Sequence, residues 1–213
     1  MAHPSTVALR GVNEGTFARL ARGRYNRTMW WRPMMMAVWL TLGWPAGSPA
    51  AEPVMLEVRT DPSGGVRAVA TVVFPAPLPL VRELLTDYAH WPEFFEVPMR
   101  VAALTIDQGV ATVDVRITHA LLPVERRLVT ESRALSDREL VSDLKGGDFR
   151  RYQRRWVLSP IDQGLHTKGE FELLVEIDSM VPDWVIAAAT KRDLEAHFRI
   201  VREKCLARVM PEK

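Results

Sequence analysis

Cysteine is almost missing from this chain. Cys205 is the only one, so no disulfide can form within a single copy, and stability must come from buried apolar surface. Glycine-rich phosphate cradles are missing as well. There is no G-x-G-x-x-G and no P-loop, so nucleotide-cofactor chemistry has no support. No G-x-S-x-G occurs, which removes the strained nucleophile turn of a serine hydrolase. His90, His119, His166 and His197 are scattered, with no pair at the spacing of strand or helix ligands, so neither a metal nor another cofactor is expected. No apolar run reaches the roughly 20 residues that a membrane-crossing helix needs.

The longest charge-free apolar run, Met34 to Trp44, follows Arg32 and leads into small residues. Ser48 and Ala50 stand three and one residues before a cut ahead of Ala51, the three-part layout of a secretory signal peptide. Retention as an uncleaved anchor is the alternative. The basic stretch from Arg10 to Arg27 makes the leader long, unless translation starts near Met29. The expected organisation is a leader over 1–51, an N-terminal arm or strand over 52–65 and a folded domain over 66–209. The expected destination is the periplasm of a Gram-negative host. Residues 52–213 hold 22 Lys plus Arg against 25 Asp plus Glu, a net charge of −3. The basic balance of the whole chain thus resides in the leader, and nucleic acid is not an expected partner.

Beyond the leader, Val54–Thr60 alternates as a strand. Asp61-Pro-Ser-Gly-Gly65 is a turn, and Val66–Phe74 resumes as a strand, so the two form a hairpin or the first is a loose arm. Pro75 and Pro77 stop the strand, and Pro79 suits the first turn of a helix that carries Val81, Leu84, Leu85 and Tyr88. His90-Trp91-Pro92 breaks it, and Glu93–Val97 reads as another short helical turn. Strands are expected over Val101–Ile106, Val110–Thr118, Glu125–Leu135, Glu139–Lys145, Phe149–Leu158 and Leu165–Ile177. Their short connections favour an antiparallel meander. Gly169, inside the last strand, predicts a bulge or bend. Val181–Val209 is a single long helix with Pro182 and Asp183 at its start and an apolar stripe through Leu194, Phe198, Val201 and Cys205. On that stripe Cys205 reads as a buried, inert thiol.

This order resembles the START-like superfamily, also called SRPBCC or helix-grip. The resemblance rests on Leu84-Leu-Thr-Asp-Tyr88 with Trp91-Pro-Glu-Phe94, on Gly147-Asp-Phe149 with Trp156-Val-Leu-Ser-Pro160 and Gly164, and on Pro182-Asp-Trp184. Those segments look like the polyketide cyclase/coenzyme-Q-binding branch. The resemblance implies an α+β helix-grip fold: a curved antiparallel sheet wrapped around a long C-terminal helix, with two short helices after an early strand. It also implies a cavity for a hydrophobic ligand. One departure concerns quinone. Trp91–Pro98 does not continue into the leucine-proline-tryptophan-cysteine-like run expected of quinone-binding members.

Candidate ligand-binding residues follow from composition and alternation. Trp91, Phe94 and Phe95 sit on a Pro-bounded segment that can cover a cavity mouth. Tyr88, Trp156, Phe171 and Trp184 are either core or lining. Alternation puts Arg150, Tyr152, Arg154 and Trp156 on one face of their strand, opposite Phe149, Arg151, Gln153 and Arg155. If Trp156 faces inward, Tyr152 and Arg154 can meet a ligand's polar end; otherwise these arginines are solvated. Asp114, Arg116, Asp143 and Lys145 belong on the outer face. On an inner face, Asp114, Asp143 and Arg154 would be acid/base candidates. The expected function is carriage of a hydrophobic small molecule (lipid, isoprenoid or quinone, or polyketide-like) in the cell envelope, with transient membrane contact. The alternatives are a polyketide cyclase or dehydratase, and a dry-cored protein-interaction module.

Overall fold

The computed structural model describes residues 54–210. The expected leader, the expected cut ahead of Ala51 and the start of the expected arm lie outside those residues. Strand β1 (Val54–Thr60) and β2 (Val66–Phe74) form an antiparallel hairpin, in register from Val54 opposite Val72 to Thr60 opposite Val66. The first strand is therefore no loose arm. Asp61 organises the turn, accepting hydrogen bonds from Ser63 N–H at 3.0 Å and Arg67 Nε at 2.8 Å. Gly65 has φ +77°, and a Cβ there would lie 2.4 Å from the Val175 carbonyl oxygen, so the turn requires glycine.

After β2 come helix α1 (Leu78–Thr86) and a 3₁₀ helix over Tyr88–Phe94. Six strands then run in sequence: β3 (Met99–Asp107), β4 (Val110–Ile117), β5 (Arg126–Ser136), β6 (Glu139–Gly147), β7 (Phe149–Ile161) and β8 (His166–Ile177). Helix α2 (Asp183–Val209) closes the fold. The eight strands make one antiparallel sheet in the order β1-β2-β8-β7-β6-β5-β4-β3. The segment between β2 and β3 thus carries the chain from one side of the sheet to its far edge. Register shifts at Val101/Ala103, Val129/Thr130, Ala134/Ser136 and Phe149/Arg151 bend the strands where they occur.

Alternation decides which face is inside. On β4, Ala111, Val113 and Val115 are buried, and Asp114 and Arg116 point the other way. Trp156 is the centre of the core, with Phe171 at 4.7 Å and Phe74 and Phe198 each at 5.7 Å between ring centroids. Burying each such ring contributes about 1.5–3 kcal/mol. Gly169 is not a bulge. Its strand stays in register with Val72 and Leu158 on either side. A Cβ there would sit 2.8 Å from Trp156 Cζ3 and 2.9 Å from Phe74 Cε2. The glycine leaves room for the two tilted rings to approach the strand backbone.

Helix α2 presents Ile186, Leu194, Phe198, Val201 and Cys205 inward and packs chiefly on β1 and β2. Burial pushes the Cys205 thiol up to about 11. The helix begins at Pro182, and Asp183 in its first turn accepts a hydrogen bond from Gly65 N–H at 3.1 Å. Towards its C-terminal end, Arg202 Nε donates to the Val73 carbonyl at 2.9 Å, and Lys204 pairs with Glu93 at 2.8 Å. The helix is thereby fastened to β2 and to the 3₁₀ segment.

Candidate functional site

Between α2 and the β3–β8 part of the sheet lie two adjoining hollows of about 180 and 150 Å³. They share Phe95, Met99, Ile117, Phe149, Leu173 and Leu194 as walls. The first is bordered by the loop between β4 and β5, through His119, Leu121 and Leu122, and by Ile186, Thr190 and Asp193 of α2. The second reaches Trp91, Phe171, Tyr152, Arg154 and His197. The space is apolar because strands β4 and β8 send alternate aliphatic side chains inward, and α2 faces them with Ile186 and Leu194. An interaction module with a filled, dry core does not match these hollows.

The polar groups are few. His119 Nδ1 accepts from the Leu121 N–H at 3.1 Å, which leaves the ring proton on Nε2, 3.2 Å from Asp193 Oδ2. Nδ1 thus braces the β4–β5 loop itself, and Nε2 joins that loop to α2. His197 lies deeper. Its Nδ1–H donates to the Phe94 carbonyl at 2.9 Å, and its ring stacks on Phe95 at 4.2 Å between centroids. Burial pushes its pKa down to about 4, against the opposing pull of the Phe94 carbonyl. The ring is therefore neutral near pH 7, and its unprotonated Nε2 is an acceptor. Neither histidine was singled out by motif. Only their placement on α2 and at a strand end, opposite the hollow, reveals them. Among the described residues no cluster of His, Cys, Asp or Glu could hold a metal ion.

The sequence candidates separate into three groups. Trp91, Phe95, Tyr152, Arg154 and Phe171 line the hollows. Tyr88, Phe94 and Trp156 stand behind them as core. Tyr88 packs edge-on against Trp91 at 5.1 Å, and Phe94 turns to a separate surface cleft under Lys204 Nζ, 4.9 Å from its ring. Trp184 is neither core nor lining. It is 70% exposed, because the first turn of α2 gives its inward positions to Ile186 and Ala187.

The simple alternation along β7 also needs correcting. The register shift between Phe149 and Arg151 adds one residue to the strand, so Phe149 joins Tyr152 and Arg154 at the hollow while Arg150 turns to solvent. Arg150, Arg151 and Arg155 pair with Asp178, Glu176 and Glu139 at 2.7, 2.5 and 2.7 Å. Arg154 instead lies 4.5 Å from the centre of the Trp91 ring and donates to Ser142 Oγ at 3.1 Å. The acid/base reading of Asp114 and Asp143 does not survive. Asp114 is held by Arg127 at 2.8 Å, whose hydrogen bonds keep its carboxyl below the usual range, and Asp143 pairs with Arg133 at 3.1 Å. Neither lines the hollows.

The family described as polyketide cyclase / dehydrase and lipid transport matches residues 74–197. No curated protein matches the chain. Among solved structures, a STAR-related lipid transfer protein from Xanthomonas axonopodis superposes with a TM-score of 0.60 at 14% identity, over 74% of this chain and 96% of that one. Human STARD10 gives 0.60 at 9% identity, over 75% and 72% of the two chains. The Zhui aromatase/cyclase from Streptomyces sp. R1128 gives 0.54 at 14% identity, over 73% and 98%. At these identities the likeness establishes the helix-grip fold.

Proposed function

The chain belongs to the polyketide cyclase / dehydrase and lipid transport family, and from that premise we propose that it binds and carries a hydrophobic small molecule in the cell envelope. The cargo is a lipid, an isoprenoid or quinone, or a polyketide-like compound. The observation that carries this reading is the pair of adjoining, almost wholly apolar hollows between α2 and the sheet. Burial drives binding: each CH₂ removed from water contributes about 0.8 kcal/mol, so a long apolar ligand needs few polar contacts. Tyr152 and Arg154 orient its polar end. Trp91, Phe95 and Phe171 grip its body.

Location is part of the proposal. The Met34–Trp44 run and the small residues before Ala51 support cleavage and export, leaving residues 52–65, which carry the first strand, together with the binding domain over 66–209 in the periplasm. Transient contact with a membrane suits this cargo. Leu121 and Val124 stand exposed on the β4–β5 loop, and Met180 on the segment before α2, both of which adjoin the cavity walls. Membership of the coenzyme-Q-binding branch would make quinone the cargo, and the departure at Trp91–Pro98 weighs towards the other classes.

A cyclase- or dehydratase-like activity is the second reading, favoured by His197 and Tyr152 lining the same hollow. It ranks second because the depressed basicity of His197 makes it a weak general base at neutral pH. Native mass spectrometry on protein recovered from its own periplasm tests the first reading. Carriage predicts a co-purified hydrophobic molecule, and repeated recovery of empty protein counts against it.

A further inference from the structure

We propose that the cargo is a carboxylic acid, its carboxylate received by Arg154 at the inner end of the cavity. This rests on the carrier reading and narrows it to a chemical class.

Four arginines stand on the same stretch of β7, and three of them have a carboxylate partner. Arg154 is the one that faces the cavity, and among the described residues it has no acidic partner. Its cross-strand neighbours are Ser142 on β6 and Leu173 on β8, both neutral. Every other residue lining its hollow is uncharged at neutral pH, His197 included. Arg154 is partly buried, and a guanidinium drawn towards apolar walls without a counter-charge loses solvation that the Trp91 ring and the Ser142 hydroxyl offset in part. A ligand anion supplies the missing charge.

The guanidinium of Arg154, which donates hydrogen bonds and accepts none, favours an acceptor-rich group. Ser142 Oγ is already engaged with Ser132 Oγ at 2.7 Å as well as with Arg154. Arg154 therefore has donor capacity to spare, with Ser142 Oγ its one hydrogen-bond acceptor among the described residues. A single guanidinium offers one positive charge in a planar fork, which matches a carboxylate. A phosphomonoester would bring close to two negative charges to one cation.

Calorimetric titration of the purified protein with dodecanoate, dodecanol and dodecyl phosphate tests the assignment. Dodecanoate is expected to bind at least about tenfold more tightly than dodecanol, as one charge-assisted hydrogen-bonded contact provides. Arg154→Met should abolish the preference, dodecanoate and dodecanol binding that variant alike, while Arg154→Lys should keep part of it. The comparison on the unaltered protein decides even if a variant fails to fold. Equal affinity for acid and alcohol overturns the carboxylate assignment and leaves carriage standing. Tighter binding of dodecyl phosphate overturns it in favour of a phosphate. Absence of binding by all three overturns the carboxylate assignment, and carriage is then judged by the molecule that co-purifies in native mass spectrometry.

Discussion

His119 Nε2 lies 3.2 Å from Asp193 Oδ2, so the loop after β4 is hydrogen-bonded to the middle of α2 across one border of the cavity. The contact spans 74 residues of chain. The two side chains are 14% and 22% exposed, and the bond tethers the loop to the helix.

His119→Ala and Asp193→Asn are each expected to lower global stability by no more than about 1 kcal/mol, the range of a partly exposed pair. Both should raise amide exchange in residues 118–125 and speed the release of a bound fluorescent fatty acid. The double variant should add little to either single one, because both remove the same contact. Independent, additive effects would mean that the two side chains do not act together.

Trp91→Ala should do two things at once. The ring is 6% exposed, packs on Tyr88 and carries the Arg154 guanidinium. Its loss should cost about 3–5 kcal/mol in a urea unfolding curve and should weaken ligand binding measured well below the melting temperature. Unchanged stability would show that Trp91 covers the cavity without belonging to the core.

Gly169→Ala should destabilise the domain by about 1–3 kcal/mol through overpacking, since the new methyl meets Trp156 and Phe74 below 3 Å. Denaturation of the purified variant checks this. Combination with Phe74→Leu should recover part of the loss, because the smaller side chain vacates one of the two contacts.

The buried neutral His197 makes stability depend on pH. Its folded value is about 4 against 6.5 for an ordinary histidine, so between these values the unfolded chain binds the extra proton and stability rises with pH. The contribution is complete above about pH 6.5 and lost as pH falls to about 4. Between pH 7 and pH 5 the loss is on the order of 2 kcal/mol. Urea melts of the protein and of His197→Asn at the two pH values should differ by that amount in their pH response. Identical responses would show that His197 does not titrate as a buried neutral ring.

Much of the architecture was legible because the signals are local. Alternation on β4 announced that Val113 and Val115 are inside, and the spacing of Leu194, Phe198, Val201 and Cys205 announced the buried stripe of α2. The site was legible only in part. Tyr152 and Arg154 follow from alternation with Trp156, but the extra residue near Arg150 shifts the phase one turn of the pattern earlier and brings in Phe149. A bulge is a property of how two strands pair, so one strand's residues do not disclose it. Gly169 shows the same limit: its cause lies in the rings of Trp156 and Phe74, the latter 95 positions away in the chain.

The sequence by itself determined the element order, the inward faces of the strands and the amphipathic closing helix, because apolar periodicity and turn residues act within a few positions of one another. Only the tertiary structure decided that Trp184 is solvent-facing, that Phe94 is core, that His119 meets Asp193, and that Arg154 alone among its neighbours faces the hollow without a counter-charge. Those outcomes depend on how far α2 stands from the sheet and on which strands lie side by side. Both are settled by packing between residues distant in the chain, where no local pattern reaches.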